Sequence, residues 1–285
     1  MKKTSKILAV VLVAALAVAT LVVFAACGGQ TYTGECKYEN AWNKGSYYGV
    51  KVDVTVKGET ITAVKLYADA DTGWTRTSGN WKEDQNPGDL GYEKTEAAYE
   101  GWIEENLVGA NVYDVLGWSA TATEKGQTVG AGVPHIAGAT QSSARIIVAV
   151  QNALEKIEGL EKRVGEYKYE NTWTPGSYYG AKVNVYLKDG KIVAVKLLED
   201  KETGWTRTSG GWKEGEHEGD LGFAKAEAAY AQYIKDTFVG KTVEEVNAYE
   251  ASKEGWTISD SAKLAGATQS AVRIVLAVQN ALSEK

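Results

Sequence analysis

A six-residue motif that could bind an anion occurs twice in the sequence. Ala-Gly-Ala-Thr-Gln-Ser fills residues 137–142 and again residues 265–270, and an apolar helical pattern follows each copy. A glycine and hydroxyl side chains before such a pattern are typical of a helix N-terminus. The hydroxyls can cap the first backbone N–H groups, and the same groups, with the helix dipole, also favour phosphate. The motif predicts either a capped helix or an anion site.

An arginine follows each motif within a few residues. Arg145 and Arg273 are expected in the first helical turn, where the helix dipole disfavours a cation. An anion bound at the helix start would reverse that penalty, whereas an exposed arginine paired with a carboxylate needs no ligand. The sequence leaves both interpretations open.

The motif resembles that of the FMN-binding domain family, which includes a subunit of sodium-pumping NADH:quinone reductase and lipoproteins of extracellular electron transfer. Gly-Ala-Thr-x-Ser before a helix and after a strand-rich segment carries the resemblance, which covers nearly the whole chain after the leader. In that family a transferase links FMN through its phosphate to the motif threonine. The resemblance implies FMN as cofactor, a flavin transferase as partner, and Thr140 and Thr268 as acceptors.

The other motif residues also receive expected roles. The glycine lets the backbone approach the phosphate, the serine caps the helix or bonds the phosphate, and the arginine offsets its charge. The expected cofactor-binding residues are Gly138, Ala139, Thr140, Ser142 and Arg145 in the first copy, and Gly266, Ala267, Thr268, Ser270 and Arg273 in the second.

The motif departs from the family pattern at two places in each copy. Ala137 and Ala265 occupy positions where the family has Ser or Thr, and Pro134 and Ala262 occupy positions where it has Asp. Covalent attachment through the threonines and non-covalent flavin binding therefore both remain open.

A second repeated stretch, Gly-Trp-Thr-Arg-Thr-Ser-Gly, fills residues 73–79 and 204–210. Its tryptophans, Trp74 and Trp205, could stack on a flat ligand such as isoalloxazine. The arginines two positions after these tryptophans, Arg76 and Arg207, could pair with phosphate or a flavin carbonyl. The alternative is that the tryptophans pack each loop onto its own sheet.

Residues 1–26 are typical of a secretion leader, with three lysines before an apolar run. The leader ends in a sequence similar to a bacterial lipoprotein cleavage box, which makes Cys27 the lipidated residue and the bilayer a partner. An uncleaved transmembrane anchor is the alternative. Both interpretations place the rest outside the cytoplasmic membrane, and residues 27–36 are expected to form a lipidated tether.

Charge and residue usage exclude several functions. The chain has 31 basic and 37 acidic residues, and three of the basic ones lie in the leader, so nucleic acid is not an expected partner. Cys36 alone remains after Cys27, which excludes an internal disulfide and a cysteine-based metal site. We find no paired carboxylates at matched positions, no Ser-His-Asp set and no Walker-type phosphate loop, so a free-standing enzyme has little support.

The elements that must position these motifs also occur twice. Matching strings recur 131 residues apart, and each contains two alternating strand patterns followed by a helical one. We predict an α+β fold of two tandem repeats, residues 37–160 and 165–285, each an antiparallel sheet with helices packed on it and a loop–helix ligand site. The strands are expected at 48–56 and 60–66. Helices are expected at 92–106 and 223–237, near Thr242 and after each six-residue motif, with the seam at 158–165 extending the first repeat's last helix.

Two functions from different classes fit these patterns. The first is a membrane-anchored flavoprotein that binds FMN in two domains and passes electrons from a membrane donor. The second is a surface lipoprotein without a redox role that binds sugars or another planar solute, because the chain is rich in Trp and Tyr. Flavin absorbance or sugar affinity would distinguish them.

Overall fold

The computed structural model describes residues 28–41, 43–77, 88, 90–208 and 221–283. Within these residues the protein is a mixed α+β fold with several small antiparallel sheets. The leader and Cys27 lie outside the described residues. Each Gly-Trp-Thr-Arg-Thr-Ser-Gly stretch, here called a Trp/Arg loop, is described up to Thr77 or Thr208. We call residues 30–160 the first half and residues 161–283 the second half.

The first half opens with a three-stranded antiparallel sheet of β1 (Gln30–Glu39), β2 (Tyr47–Lys57) and β3 (Thr60–Leu66), in that order. Alternate β2 residues, including Val52 and Val54, are fully buried, as the alternating pattern predicts. The two predicted strands are therefore present, and β1 is an additional one.

The second half opens with a sheet of the same order, β6 (Glu161–Glu170), β7 (Tyr178–Lys188) and β8 (Lys191–Leu197). Asp189 and Gly190 join its last two strands with φ values of 51° and 76°. Positive φ at both central residues matches the twist of an antiparallel hairpin, which is why Asp-Gly predicted it.

The sequence placed two segments wrongly. Residues 30–36 of the expected tether belong to β1, which pairs with β2 along its whole length. The expected helical extension at the seam is instead the start of β6, because the chain turns at Gly159 with a φ of 75°. Both segments lie at a sheet edge with few buried residues, so their strand pattern is weak.

Helices follow the sheets. The predicted helices at 92–106 and 223–237 are α2 (Tyr92–Asn106) and α6 (Phe223–Phe238), and the predicted helix near Thr242 is α7 (Val243–Asn247), which Thr242 caps. The remaining helices and small hairpins are α1 (Asp69–Thr72), α3 (Val112–Gly117), α4 (Thr140–Leu154), α5 (Asp200–Thr203), α8 (Thr268–Ser283), β4 (Ala120–Thr123) with β5 (Gly126–Val129), and β9 (Ala251–Ser252) with β10 (Thr257–Ile258).

The helix after each six-residue motif lies across its own sheet. A Cβ added to Gly34 of β1 would lie 2.0 Å from the Ala149 carbonyl oxygen of α4. Gly165 of β6 has the same relation to Ala277 of α8, at 2.1 Å. Each glycine therefore permits a helix-to-strand approach that any side chain would prevent, so the helix can lie directly on its sheet.

The two halves contact each other through α3 and the residues after it. Trp118 packs against the hydrophobic core of the first half. The Ser119 hydroxyl donates to the Leu197 carbonyl of β8 at 2.7 Å. The Lys196 ammonium, which is buried, donates to Gln151 of α4 at 2.9 Å. Because these contacts are polar and enclosed, they fix one arrangement of α3 on β8.

Cys36 lies on β1 with only 5% of its surface exposed. Burial raises the pKa of its thiol from the ordinary 9.0 to about 11, although Arg145 and Lys196 act in the opposite direction. At pH 8 the folded protein should hold about 100-fold less thiolate than the unfolded chain. The neutral thiol's contribution to stability is retained below pH 9 and lost as the pH rises toward 11.

We expect iodoacetamide at pH 8 to leave Cys36 unmodified in a folded chain that begins at residue 28, and to alkylate it in guanidinium chloride. Intact mass after timed quenching measures both rates. Equal rates in the folded and unfolded protein would show that this strand is not held in the core.

Candidate functional site

The loop before α4 is held by a glycine in the left-handed backbone region. Gly138 has a φ of 74°, and a Cβ there would lie 2.5 Å from the Gly88 carbonyl oxygen. Its own carbonyl accepts a hydrogen bond from the Leu90 backbone N–H at 2.9 Å. Gly266 has a φ of 75° and accepts from Leu221 in the same way, at 3.0 Å. The close approach that this glycine permits is therefore to the chain before α2 or α6.

The helix start differs from the predicted cap. Ala139 is the N-cap of α4 and has no side chain that can accept a hydrogen bond, so the helix lacks a side-chain cap at that position. Thr140 is the first helical residue of α4 and Thr268 the first of α8, and both are half-buried. Within the described part of the chain, neither threonine side chain forms a hydrogen bond.

Ser143, which the sequence did not single out, supports the first loop instead. Its hydroxyl accepts a hydrogen bond from the Ile136 N–H at 2.9 Å and donates to the Ala139 carbonyl at 3.2 Å. The second half has Ala271 after Ser270, where the first has Ser143. The two loops therefore have the same backbone turn but different internal support.

Arg145 lies in the second turn of α4, because the helix begins at Thr140, and not in the predicted first turn. It is 1% exposed, and its guanidinium donates to the Tyr38 hydroxyl at 2.7 Å and the Arg76 carbonyl at 2.8 Å. Arg273 is fully buried and likewise donates to the Arg207 carbonyl at 2.7 Å. The sequence offered a bound anion or an exposed arginine paired with a carboxylate. Neither includes the observed contact, in which each arginine joins its helix to the Trp/Arg loop.

Tyrosines of the first two strands surround these arginines. The Arg145 guanidinium carbon lies 4.8 Å from the centre of the Tyr48 ring, a cation–π distance. Arg273 lies 5.2 Å from the Tyr179 ring and 5.5 Å from Trp256. Neither these tyrosines nor Trp256 was singled out in the sequence analysis.

Trp256 carries an unusual backbone conformation. Its φ is 51°, directly after Gly255 with a φ of 74°. A bulky residue in the left-handed region is strained and persists only where its surroundings hold it. Here the ring packs 5.4 Å from Tyr169 as well as against Arg273. The Gly-Trp pair was the available signal in the sequence.

A series of hydrogen-bonded side chains, here called the polar chain, links the Trp/Arg loop to the helix start. Arg76 forms a two-point ion pair with Glu96 of α2, and Thr77 donates to the same carboxylate. The Thr77 hydroxyl is also bonded to Tyr99, which is in turn hydrogen-bonded to Ser142 of α4. The second half has an equivalent polar chain of hydrogen-bonded side chains, formed by Arg207, Glu227, Thr208, Tyr230 and Ser270.

These contacts bear on the expected roles of two repeated positions, the motif serine and the loop arginine. Ser142 and Ser270 are 2% exposed and engage a tyrosine inside the protein, and neither residue is the N-cap. Arg76 and Arg207, which could pair with phosphate or a flavin carbonyl, each have a glutamate partner in the protein. The loop arginine and the threonine after it therefore have the same kind of partner inside the protein in each half.

The second polar chain is the more enclosed of the two. The side chains of Arg207 and Glu227 are 8% and 12% exposed, against 20% each for Arg76 and Glu96. Burial lowers the pKa of Arg207, but its hydrogen bond to Glu227 and the charges of Glu199 and Glu227 outweigh this and raise it. The charged pair is thus retained inside the protein by mutual compensation.

Trp74 and Trp205 are half-buried and lie over the first strands of their sheets. A Cβ added to Gly49 of β2 would lie 2.9 Å from the Trp74 ring, so this glycine makes room for it. The Lys37 ammonium is 4.9 Å from the Trp74 ring, and that of Lys168 is 4.5 Å from Trp205. These contacts match the packing alternative, and part of each ring stays accessible.

Within the described residues, no group of His, Cys, Asp and Glu side chains is arranged to bind a metal ion. The described helices are all too short or too polar to cross a bilayer. Comparison of the chain with known family models, curated proteins and solved structures finds no match.

Proposed function

We propose that this protein is a membrane-anchored flavoprotein that carries FMN on Thr140 and Thr268 and passes electrons. The observation that supports it most is the position of these threonines. Each is the first residue of a long helix, half-buried, and without a side-chain hydrogen bond to the described residues. A hydroxyl in that position is available to form a phosphoester.

The residues fit a phosphate group. The first N–H groups of a helix have no carbonyl partner within it, and the helix dipole favours negative charge there. Ala139, as N-cap, supplies no side chain that would compete for those N–H groups. Arg145 and Arg273 lie in the second turn and add positive charge at longer range, because their donors also serve the protein.

We further propose that the halves are two copies of one domain, each with its own loop–helix flavin site. Equal sheet order, the same buried polar chain and the recurrence of both motifs support this. When bound, FMN supplies the one- and two-electron chemistry. The protein binds the phosphate at the helix start, and two sites in one chain allow electrons to pass onward from a membrane donor.

Trp256 distinguishes the second proposed site from the first. Its half-buried ring packs against Tyr169 and Arg273, on strand β6 and helix α8. An aromatic face near a flavin changes its environment and hence its redox potential. We therefore expect the two flavins to differ in potential, a property that favours directional transfer.

One observation favours the alternative of a sugar-binding surface protein. Trp173, in the turn between β6 and β7, is 91% exposed. An exposed indole stacks readily on a sugar ring. Titration of the ectodomain with a panel of oligosaccharides, against a Trp173→Ala control, separates this function from flavin binding.

Residues 28–285, exported by a cell that also supplies a flavin transferase, provide the test of the proposed function. We expect a yellow protein with two flavins for each chain, which lose their visible absorbance on reduction with dithionite and regain it in air. A colourless chain, obtained beside a known acceptor protein that is yellow from the same cells, would contradict the proposal.

A further inference from the structure

The β8–α6 groove, defined by strand β8 and helix α6, is occupied by the first half of the same chain. The docking segment, residues 113–121, lies on it, and a crevice of about 500 Å³ remains between them. Ser119 donates to the Leu197 carbonyl, Thr121 donates to Glu202 at 2.7 Å, and Asp114 pairs with Lys235 at 2.9 Å. As a result Ala194 is only 2% exposed.

The matching β3–α2 groove of the first half, 131 residues earlier, is open. Its cavity of about 710 Å³ is lined by residues 62–66 of β3 together with Arg76, Glu96 and Glu104. Ala63 and Lys65 are exposed, whereas their matches in β8, Ala194 and Lys196, are buried. Strand β3 is the last strand of its described sheet, and its start pairs outward with residues 109–111 through the Ile61 backbone.

The segment that matches the docking segment in the second half is also open. Residues 244–252 border a cavity of about 560 Å³. Gln279 of α8 lies beside it and donates to the Val246 and Tyr249 carbonyls, as Gln151 does to Val115 and Trp118. The backbone support of the docking segment is therefore the same in both halves.

We infer that the β3–α2 groove binds residues 244–252 of a second copy of this chain, so that molecules associate head to tail. The contact between the halves provides the template, and the inference rests on their being two copies of one domain. Such an interface joins different surfaces of the two molecules, so it does not close at two and can continue into a linear array.

Several side chains keep their partners in this arrangement. Lys65 matches Lys196 and Gln279 matches Gln151, so the ammonium–amide hydrogen bond can form between molecules. A second pair is exchanged. In the contact between the halves, Glu199 lies 3.0 Å from Arg207. The first half has Ala68 at the position of Glu199 and Arg76 at the position of Arg207. Residues 244–252 in turn carry Glu250 at the position of Ser119. The carboxylate that faces the groove arginine thus moves to the incoming molecule.

Other differences make the contact between molecules weaker than the contact between halves. Leu116 is replaced by Asn247, so the incoming segment is less apolar. The ion pair of Asp114 with Lys235 becomes a repulsion between Glu245 and Glu104. Polar ends of this kind limit the growth of repeat arrays. We therefore expect reversible association that depends on protein concentration and on salt.

Glu104→Lys restores the ion pair of the template and tests the inference directly. We expect it to lower the Kd for self-association of residues 28–285 about five- to tenfold at low salt. Glu93→Lys is the matched control, because it makes the same charge change on an exposed part of the same helix outside the groove. Sedimentation velocity over a range of concentrations measures the association, independently of flavin content.

Ala63→Arg is the opposing variant, and it should abolish the association because its match Ala194 is buried in the template contact. Ala63→Ser, which stays small, should not. Equal Kd values for Glu104→Lys and Glu93→Lys would overturn the inference, as would association that survives Ala63→Arg. Because Ala63 and Glu104 are both exposed, we expect each variant to fold, and circular dichroism checks this.

Discussion

Thr140→Ala and Thr268→Ala are each expected to remove one of two FMN groups, and the double variant is expected to carry none. The hydroxyl oxygen of each threonine is the atom that would form the phosphoester, and alanine has no replacement for it. The folded protein should tolerate the change within about 0.5 kcal/mol, because each side chain is half-buried without a hydrogen bond among the described residues. In-gel flavin fluorescence after denaturation reads covalent attachment alone.

Two controls define what this result means. Thr140→Ser and Thr268→Ser keep a hydroxyl and should retain flavin, while Thr60→Ala, at an exposed threonine where β3 begins and far from both helix starts in sequence, should lose none. If each alanine variant still carries two flavins, the threonines are not acceptors. If either variant loses both flavins, the two sites are not independent.

Arg207→Met is expected to lower the free energy of unfolding of the second half by about 3–5 kcal/mol. The substitution keeps most of the side-chain volume but leaves Glu199 and Glu227 enclosed without their shared cation. It also removes the donor to the Leu198 carbonyl. Urea unfolding, monitored by hydrogen exchange of individual peptides, measures the loss of unfolding free energy and shows in which half it occurs.

Arg76→Met provides the matched comparison in the first half. Arg76 and Glu96 are each 20% exposed, so water can solvate the carboxylate that remains, and we expect a smaller loss of about 1–3 kcal/mol. Lys57→Met removes an exposed charge and should have almost no effect. A loss for Arg207→Met no larger than that for Arg76→Met would mean that enclosure does not determine the cost of breaking the pair.

Much of the α+β fold could be predicted because its signals are local. Alternating apolar residues place β2, and Asp189 with Gly190 determines the hairpin before β8. The helix at Tyr92–Asn106 was predicted with its observed ends. Strand β1 and the start of β6 were not, since each is an edge strand whose partner, and not its own pattern, determines its structure.

The site was harder to predict because its contacts are long-range. The six-residue motif correctly indicated a helix start, but not that Arg145 reaches back to the Arg76 carbonyl, or that Ser142 meets Tyr99. Glu96, which neutralises Arg76, lies on a helix whose sequence looks ordinary. Repetition of a motif does not by itself distinguish residues that stabilise the fold from residues that bind a ligand. The contacts of each side chain are needed for that.

The most direct test of the flavoprotein proposal is to locate the cofactor on the wild-type chain. Protein exported with a flavin transferase would be digested with a protease and its peptides sequenced by tandem mass spectrometry. We expect FMN on Thr140 in the peptide around residues 137–142 and on Thr268 in the peptide around residues 265–270, and on no other residue. Unmodified threonines in both peptides, or flavin attached elsewhere, would contradict the account.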